Sequence, residues 1–168
     1  MNRLARKGFT LVEILIVVII LGILAAIVIP QFTEASGEAR VSNLMTNLQT
    51  IRSQLLLYKT QHLEKYPASG AGEDGDTFAS QMTQYTDVDG KVNATPSSDF
   101  PYGPYLQSIP VNPISGDNTV TVVQNGDTAF AAPDADGGWW LNTVTGQFRA
   151  YVTDVRTTTD GTTKLNEL

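Results

Sequence analysis

One carboxylate in this sequence has no charged neighbour in its own segment: Glu13 is the sole charged side chain between Phe9 and Ile29. An anion in or near hydrocarbon needs a cation or a set of hydrogen-bond donors, so Glu13 is a candidate for pairing. Two other groupings have chemistry-bearing residue types. Asp87-Val88-Asp89-Gly90 and Asp134-Ala135-Asp136-Gly137 each alternate Asp and end in Gly, a spacing that can fold round a hard cation. Neither has the twelve-residue loop with a terminal Glu, and a solvated turn is the expectation for both. His62 is the single histidine, and a surface or capping role is expected for it rather than a ligand role. The sequence has no cysteine, which excludes disulfides, thiolate metal sites and a cysteine nucleophile. It also lacks a nucleophile–histidine set, a phosphate-binding glycine loop and a zinc spacing, so enzyme activity and a cofactor are not expected.

The element that carries Glu13 is apolar and long. Ile14 to Ile29 has no polar side chain, and counting back to Phe9 gives a 21-residue segment. As a helix it spans roughly 30 Å, the thickness of a bilayer core. Arg3, Arg6 and Lys7 precede it with no acid among them. Positive charge stays cytoplasmic, so the N-terminus is expected inside and everything after Pro30 outside. A secretory signal peptide and an ordinary signal anchor share these features. The length of the run, Glu13 and the lack of a small-x-small cleavage site speak against the first. The second leaves Glu13 unexplained.

Lys7-Gly8-Phe9-Thr10-Leu11-Val12-Glu13 resembles the processing site of type IV prepilins and type II secretion prepseudopilins: a short basic leader ending in Gly8, then Phe9, then a glutamate at the fifth mature position. Pro30 falls where that family commonly has a proline. The resemblance implies cleavage between Gly8 and Phe9 by a membrane prepilin peptidase and N-methylation of Phe9. It also implies a filament of copies of the chain, or a mixed filament, extracted from the inner membrane by an assembly platform. Lys7, Gly8 and Phe9 are then substrate positions for processing. The physics agrees. Cleavage removes three cationic side chains and uncovers an α-amine, cationic at neutral pH or nearly so. In a bundle of parallel, offset helices the Phe9 amine of one subunit can reach Glu13 of another, which offsets both desolvation costs and sets axial register. An interfacial Glu13 that snorkels to the headgroups is the competing reading. Gly22 and Pro30 are expected to mark where the helix bends or melts on assembly; a mild static kink is the alternative.

The rest of the chain supplies the soluble part. Val41, Leu44, Leu48, Ile51, Leu55 and Tyr58 recur at three- and four-residue spacing, one face of an amphipathic helix that Met45, Leu56 and Leu57 widen. The helix is expected to stop near Tyr66-Pro67. A loop-rich stretch to about Pro104 includes one short helix around Phe78, Met82 and Tyr85. The run Gly103-Pro104-Tyr105-Leu106 to Pro110 and Pro113 resembles a stretch of major secretion pseudopilins. That likeness implies a calcium in the C-terminal region near Asp134 and Asp136, although the surrounding residues do not match well enough to transfer ligands. Thr119–Gln124 and Asp127–Ala131 flank Asn125-Gly126, a hairpin signal. Trp139–Leu141 and Gln147–Val152 flank a turn ending in Gly146. Trp139 and Trp140 are expected to pack rather than to bind a ligand.

These readings predict an α+β fold: a long N-terminal helix packed on a small antiparallel sheet. The expected divisions are a leader (1–8), a membrane or filament-core helix (9–30), an amphipathic half (31–66) and a globular region (67–168). The net charge is −6, and without the first seven residues eight basic face 17 acidic side chains, a net of −9. Such a surface is a poor match for nucleic acid, which is not expected as a partner. The absence of cysteine and the Pro-rich connector favour a secretion pseudopilin over a disulfide-closed adhesive pilin. A type IV pilus subunit and a membrane-tethered module that never polymerises remain open.

Overall fold

The structure, a computed structural model, describes residues 9–124 and 137–152; the side chains of residues 30, 33 and 34 are outside the description. Lys7, Gly8, the Asn125-Gly126 hairpin with its Asp127–Ala131 strand, Asp134, Asp136 and the tail after Asp154 lie outside the described residues. The chain divides into two compact units, residues 1–39 and 40–168.

Helix α1 runs from Leu11 to Gln61 and contributes to both units. In the first unit, the stretch Leu11–Ile29 is long and apolar enough to cross a membrane, and none of it is buried. In the second unit the helix is amphipathic as its spacing predicts. Val41, Leu44, Leu48, Ile51, Leu55 and Tyr58 are all at most 7% exposed. Met45, Leu56 and Leu57 do not widen that stripe: they are 45–60% exposed. They sit one or two positions beyond the stripe, where the roughly 100° turn per residue has already carried the side chain off the core face.

The helix ends at Gln61, five residues before the expected Tyr66. Leu63 and Glu64 both take left-handed backbone conformations, with φ of 54° and 63°. The Glu64 N–H donates back to the Lys59 carbonyl at 3.1 Å. This is a Schellman-type closure, which satisfies an end carbonyl before Pro67 is reached. His62 sits in it, 1% exposed.

After α1 come α2 (Gly75–Thr83), β1 (Tyr85–Thr86), β2 (Val92–Asn93), β3 (Val120–Val123), β4 (Trp139–Asn142) and β5 (Phe148–Ala150). Asp74 caps α2 by accepting from the Thr77 N–H at 3.0 Å. Phe78 and Met82 bury its inner face, as expected, while Tyr85 belongs to β1 instead. β1 and β2 form a short antiparallel hairpin closed by the Asp87 loop. The larger sheet has the order β3-β4-β5. The β4–β5 pair is antiparallel, as expected, but β3 and β4 run parallel, so the described sheet is mixed. A parallel pair cannot be closed by a tight hairpin turn. The β4–β5 turn is built by Asn142, whose Oδ1 accepts from Val144 and Thr145 at 2.9 and 3.0 Å, and by Gly146 at φ 73°. A Cβ on Gly146 would collide with the Tyr66 ring.

One core joins these elements. The α1 stripe meets Phe78 and Met82 of α2 and Trp139, Leu141 and Phe148 of the sheet. Phe148 stacks on Trp139 at 5.6 Å and on Phe78 at 6.1 Å between ring centroids. Trp139 and Trp140 are each 1% exposed, so both are packing residues.

Candidate functional site

The start of α1 is organised by its own first turn. Thr10 precedes the helix and caps it: its backbone N–H and its hydroxyl both donate to Glu13 Oε2 at 2.8 Å, while the Glu13 N–H donates to Thr10 Oγ1 at 3.3 Å. This reciprocal arrangement is a capping box. It holds the carboxylate at the positive end of the helix dipole, which favours an anion there. Phe9 stands just before the cap and is 83% exposed. The local sequence carries the signal for this cap: Thr-x-x-Glu ahead of an apolar run is a helix start.

Beyond the cap, the large apolar side chains from Leu11 to Ile29 are between 41% and 82% exposed. Few soluble monomers leave so much contiguous apolar surface in water; a surface of that size belongs in lipid or against other helices. Gly22 and Pro30 both lie within α1. A Cβ placed on Gly22 would meet nothing within 4 Å. Pro30 lacks the N–H that would close a turn. Of the other expected site residues, Lys7, Gly8, Asp134 and Asp136 lie outside the described residues. Thus Phe9 and Glu13 are brought to the same helix end, with Thr10 between them, and Gly22 and Pro30 lie further along the helix.

The second unit carries buried polar positions of a different kind. Asp87 Oδ1 accepts from the Asp89 and Lys91 backbone N–H groups at 3.0 and 2.8 Å, so this loop is a turn held by its own aspartate. His62 is a buried cap. Its Nδ1 lies 2.8 Å from the Tyr58 carbonyl and its Nε2 lies 2.9 Å from Thr86 Oγ1. A carbonyl only accepts, so Nδ1 carries the proton and Nε2 accepts from the Thr86 hydroxyl. Burial pushes the imidazole below its ordinary pKa. Asn112 is fully buried and ties the Pro-rich connector to the sheet: its Nδ2 donates to the Gly138 and Tyr151 carbonyls, both at 2.8 Å, and its Oδ1 accepts from the Ile114 N–H. Among the described residues, no group of three His, Asp or Glu is placed to hold a metal ion.

Residues 3–29 match the family described as the prokaryotic N-terminal methylation motif. The segment so matched holds both the Thr10–Glu13 cap and the exposed apolar helix. Over 72 residues the chain is 40% identical to the type II secretion system core protein G of Pseudomonas aeruginosa, covering 43% of this chain and 50% of that protein. The core protein G of Klebsiella michiganensis is 25% identical over 150 residues, 83% of this chain and 96% of that one. The chain is similar to type IV pilins and pseudopilins. The pilin side is represented by the type IV major pilin protein PilE1 of Neisseria gonorrhoeae, 34% identical over 59% of this chain and 47% of that protein. The chain therefore spans about half the length of two of these relatives and nearly all of the third. No solved structure was found to match it. The exposed helix is a single apolar segment that fits a membrane-anchored subunit.

Proposed function

We propose that this chain is a structural subunit of a pilus-like filament, a pseudopilin of a type II protein secretion system, and not an enzyme. The observation that carries the reading is an apolar helix, exposed on all sides, that begins with one carboxylate held in its own N-terminal cap. Prepilin peptidase cuts between Gly8 and Phe9 after the basic leader that ends in Lys7, and the new Phe9 amine is methylated. Before assembly the chain crosses the inner membrane once, with its N-terminus cytoplasmic and everything after Pro30 outside. A carboxylate offers about four acceptor positions. The Thr10 cap uses two of them on Glu13, which leaves capacity for the Phe9 amine of a neighbouring subunit. The pair neutralises both groups in a water-poor core and fixes the axial offset between helices. Extraction from the membrane runs through the inner-membrane assembly platform, and the helix yields between Gly22 and Pro30, where propensity and hydrogen bonding are weakest.

A type IV pilus subunit is the second reading, favoured by the similarity to the gonococcal pilin. Deletion separates the two: loss of exported enzymes points to secretion, loss of twitching or DNA uptake to a pilus. The reading itself is tested by the mass of the mature N-terminus and by Glu13→Ala. A chain starting at N-methylated Phe9, with E13A processed normally but unable to form filaments, supports it. An uncut Met1 would instead mean a membrane tether, and a start beyond residue 25 a secreted protein. Normal filaments from E13A would remove Glu13 from assembly.

A further inference from the structure

Among the described strands, β5 and β3 form the two edges of the three-stranded sheet, and they differ in charge. At the β5 edge, Arg52 of α1 forks onto the Phe148 carbonyl through Nε at 3.0 Å and Nη2 at 2.7 Å. Arg149 lies beside it, its Nη2 donating to Gln147 Oε1 at 3.3 Å. The two guanidiniums share a groove of about 340 Å³ with Leu56 and Tyr66. The groove continues along α1 into a second hollow of about 360 Å³ lined by Met45, Gln49 and Leu56. Desolvation and the charge of Arg149 both act against the charged form of Arg52. Yet the one ion pair among the described residues is Lys59–Glu64. Among the described residues, two neighbouring arginines of a chain of net charge −6 thus stand without a carboxylate, next to an exposed Leu and an exposed Met. An anionic surface with some apolar content would relieve that repulsion and cover those side chains.

The opposite edge offers such a surface. α2 packs on β3 so closely that a Cβ on Gly75 would collide with the Val120 carbonyl. Its first turn displays Asp74 and Asp76, both exposed. The Asp74 carboxylate caps the helix through the Thr77 N–H and hydroxyl. A symmetric contact between two copies would set arginine pair against arginine pair. A contact between opposite edges sets cation against anion, and because it joins different patches it repeats without closing, as a filament requires.

We propose that the groove between α1 and β5 receives a second copy of this chain, which presents the first turn of its α2 with Asp74 and Asp76. The proposal rests on the filament reading and specifies the contact made outside the helical core. The native chain has no cysteine, so introduced thiols report only the chosen positions. Full-length, processed chains carrying Leu56→Cys and Asp76→Cys together are assembled into filaments and treated with a short bis-maleimide. The expected product is a ladder of dimers, trimers and longer species, with no ladder from either single variant. In parallel, Arg149→Glu cuts filament yield by about tenfold or more, since an attractive charge contact becomes repulsive, and adding Asp76→Arg to the same chain restores it. Filaments that form but give no ladder, or dimers alone, overturn the groove contact and leave the filament reading in place. Failure of the charge reversal to rescue a folded double variant does the same. A processed wild-type chain that never polymerises overturns both.

Discussion

Replacing His62 with Phe isolates the contribution of one buried polar group to the second unit. The ring of His62 stacks on Tyr58 with centroids 3.7 Å apart and planes 5° from parallel. Phe keeps that stack and much of the volume. It removes the donor to the Tyr58 carbonyl and the acceptor for the Thr86 hydroxyl, and Thr86 is fully buried. The Thr86 hydroxyl keeps Tyr105 within reach, so the Tyr58 carbonyl is the group orphaned, and the variant should lose about 1–3 kcal/mol of unfolding free energy. The measurement is urea unfolding of the full chain in detergent, followed by the near-ultraviolet circular dichroism of Trp139 and Trp140. These side chains report the core of the second unit and are blind to the exposed helix. A loss below about 1 kcal/mol would refute the hydrogen-bond assignment, because one unsatisfied buried group alone should exceed that. The same residue predicts a pH dependence. Burial holds the folded imidazole below the unfolded value of about 6.5. The unfolded chain therefore binds more protons as the pH falls below that value. Wild-type stability should be greatest above about pH 6.5 and decline through the window down to the lower folded pKa. The difference between wild type and H62F should narrow over the same window, since the variant has no such group.

Asn112→Ala should destabilise the chain by about 2–4 kcal/mol in the same assay, because the Gly138 and Tyr151 carbonyls lose their shared donor; a change within about 0.5 kcal/mol would mean that the connector is held by its prolines instead. For Asp134 and Asp136, the solvated-turn reading predicts that calcium leaves the thermal midpoint unchanged. A cation held there at a hundred times its dissociation constant would add about 2.7 kcal/mol, and a chelator-reversible rise of that size would establish the calcium reading in its place.

Much of the fold was legible because its signals are local. The six-residue apolar stripe from Val41 to Tyr58 follows from helical periodicity alone, and all six residues are buried. The turn at Gly146 and the short helix around Phe78 and Met82 were likewise readable from residue type and spacing. The Thr10–Glu13 cap is equally local, since a capping box needs only four consecutive residues, but the charge of Glu13 alone does not reveal its place in the first turn. The early stop at Gln61 was not readable. Pro67 is a strong local signal, yet the helix ends where His62 finds Thr86, 24 positions along the chain, and such a partner has no mark in the sequence.

By itself, then, the sequence determined the exposed apolar helix, its lone acid, the N-terminal methylation motif and the inward face of the soluble half, because each depends on neighbours within a few residues. The tertiary structure alone decided that β3 pairs with β4 in parallel, that Asn112 ties the connector to the sheet, and that Arg52 and Arg149 meet at one edge while Asp74 and Asp76 sit at the other. Those pairings join residues tens of positions apart. They are selected by the packing of one shared core, and no window along the chain contains them.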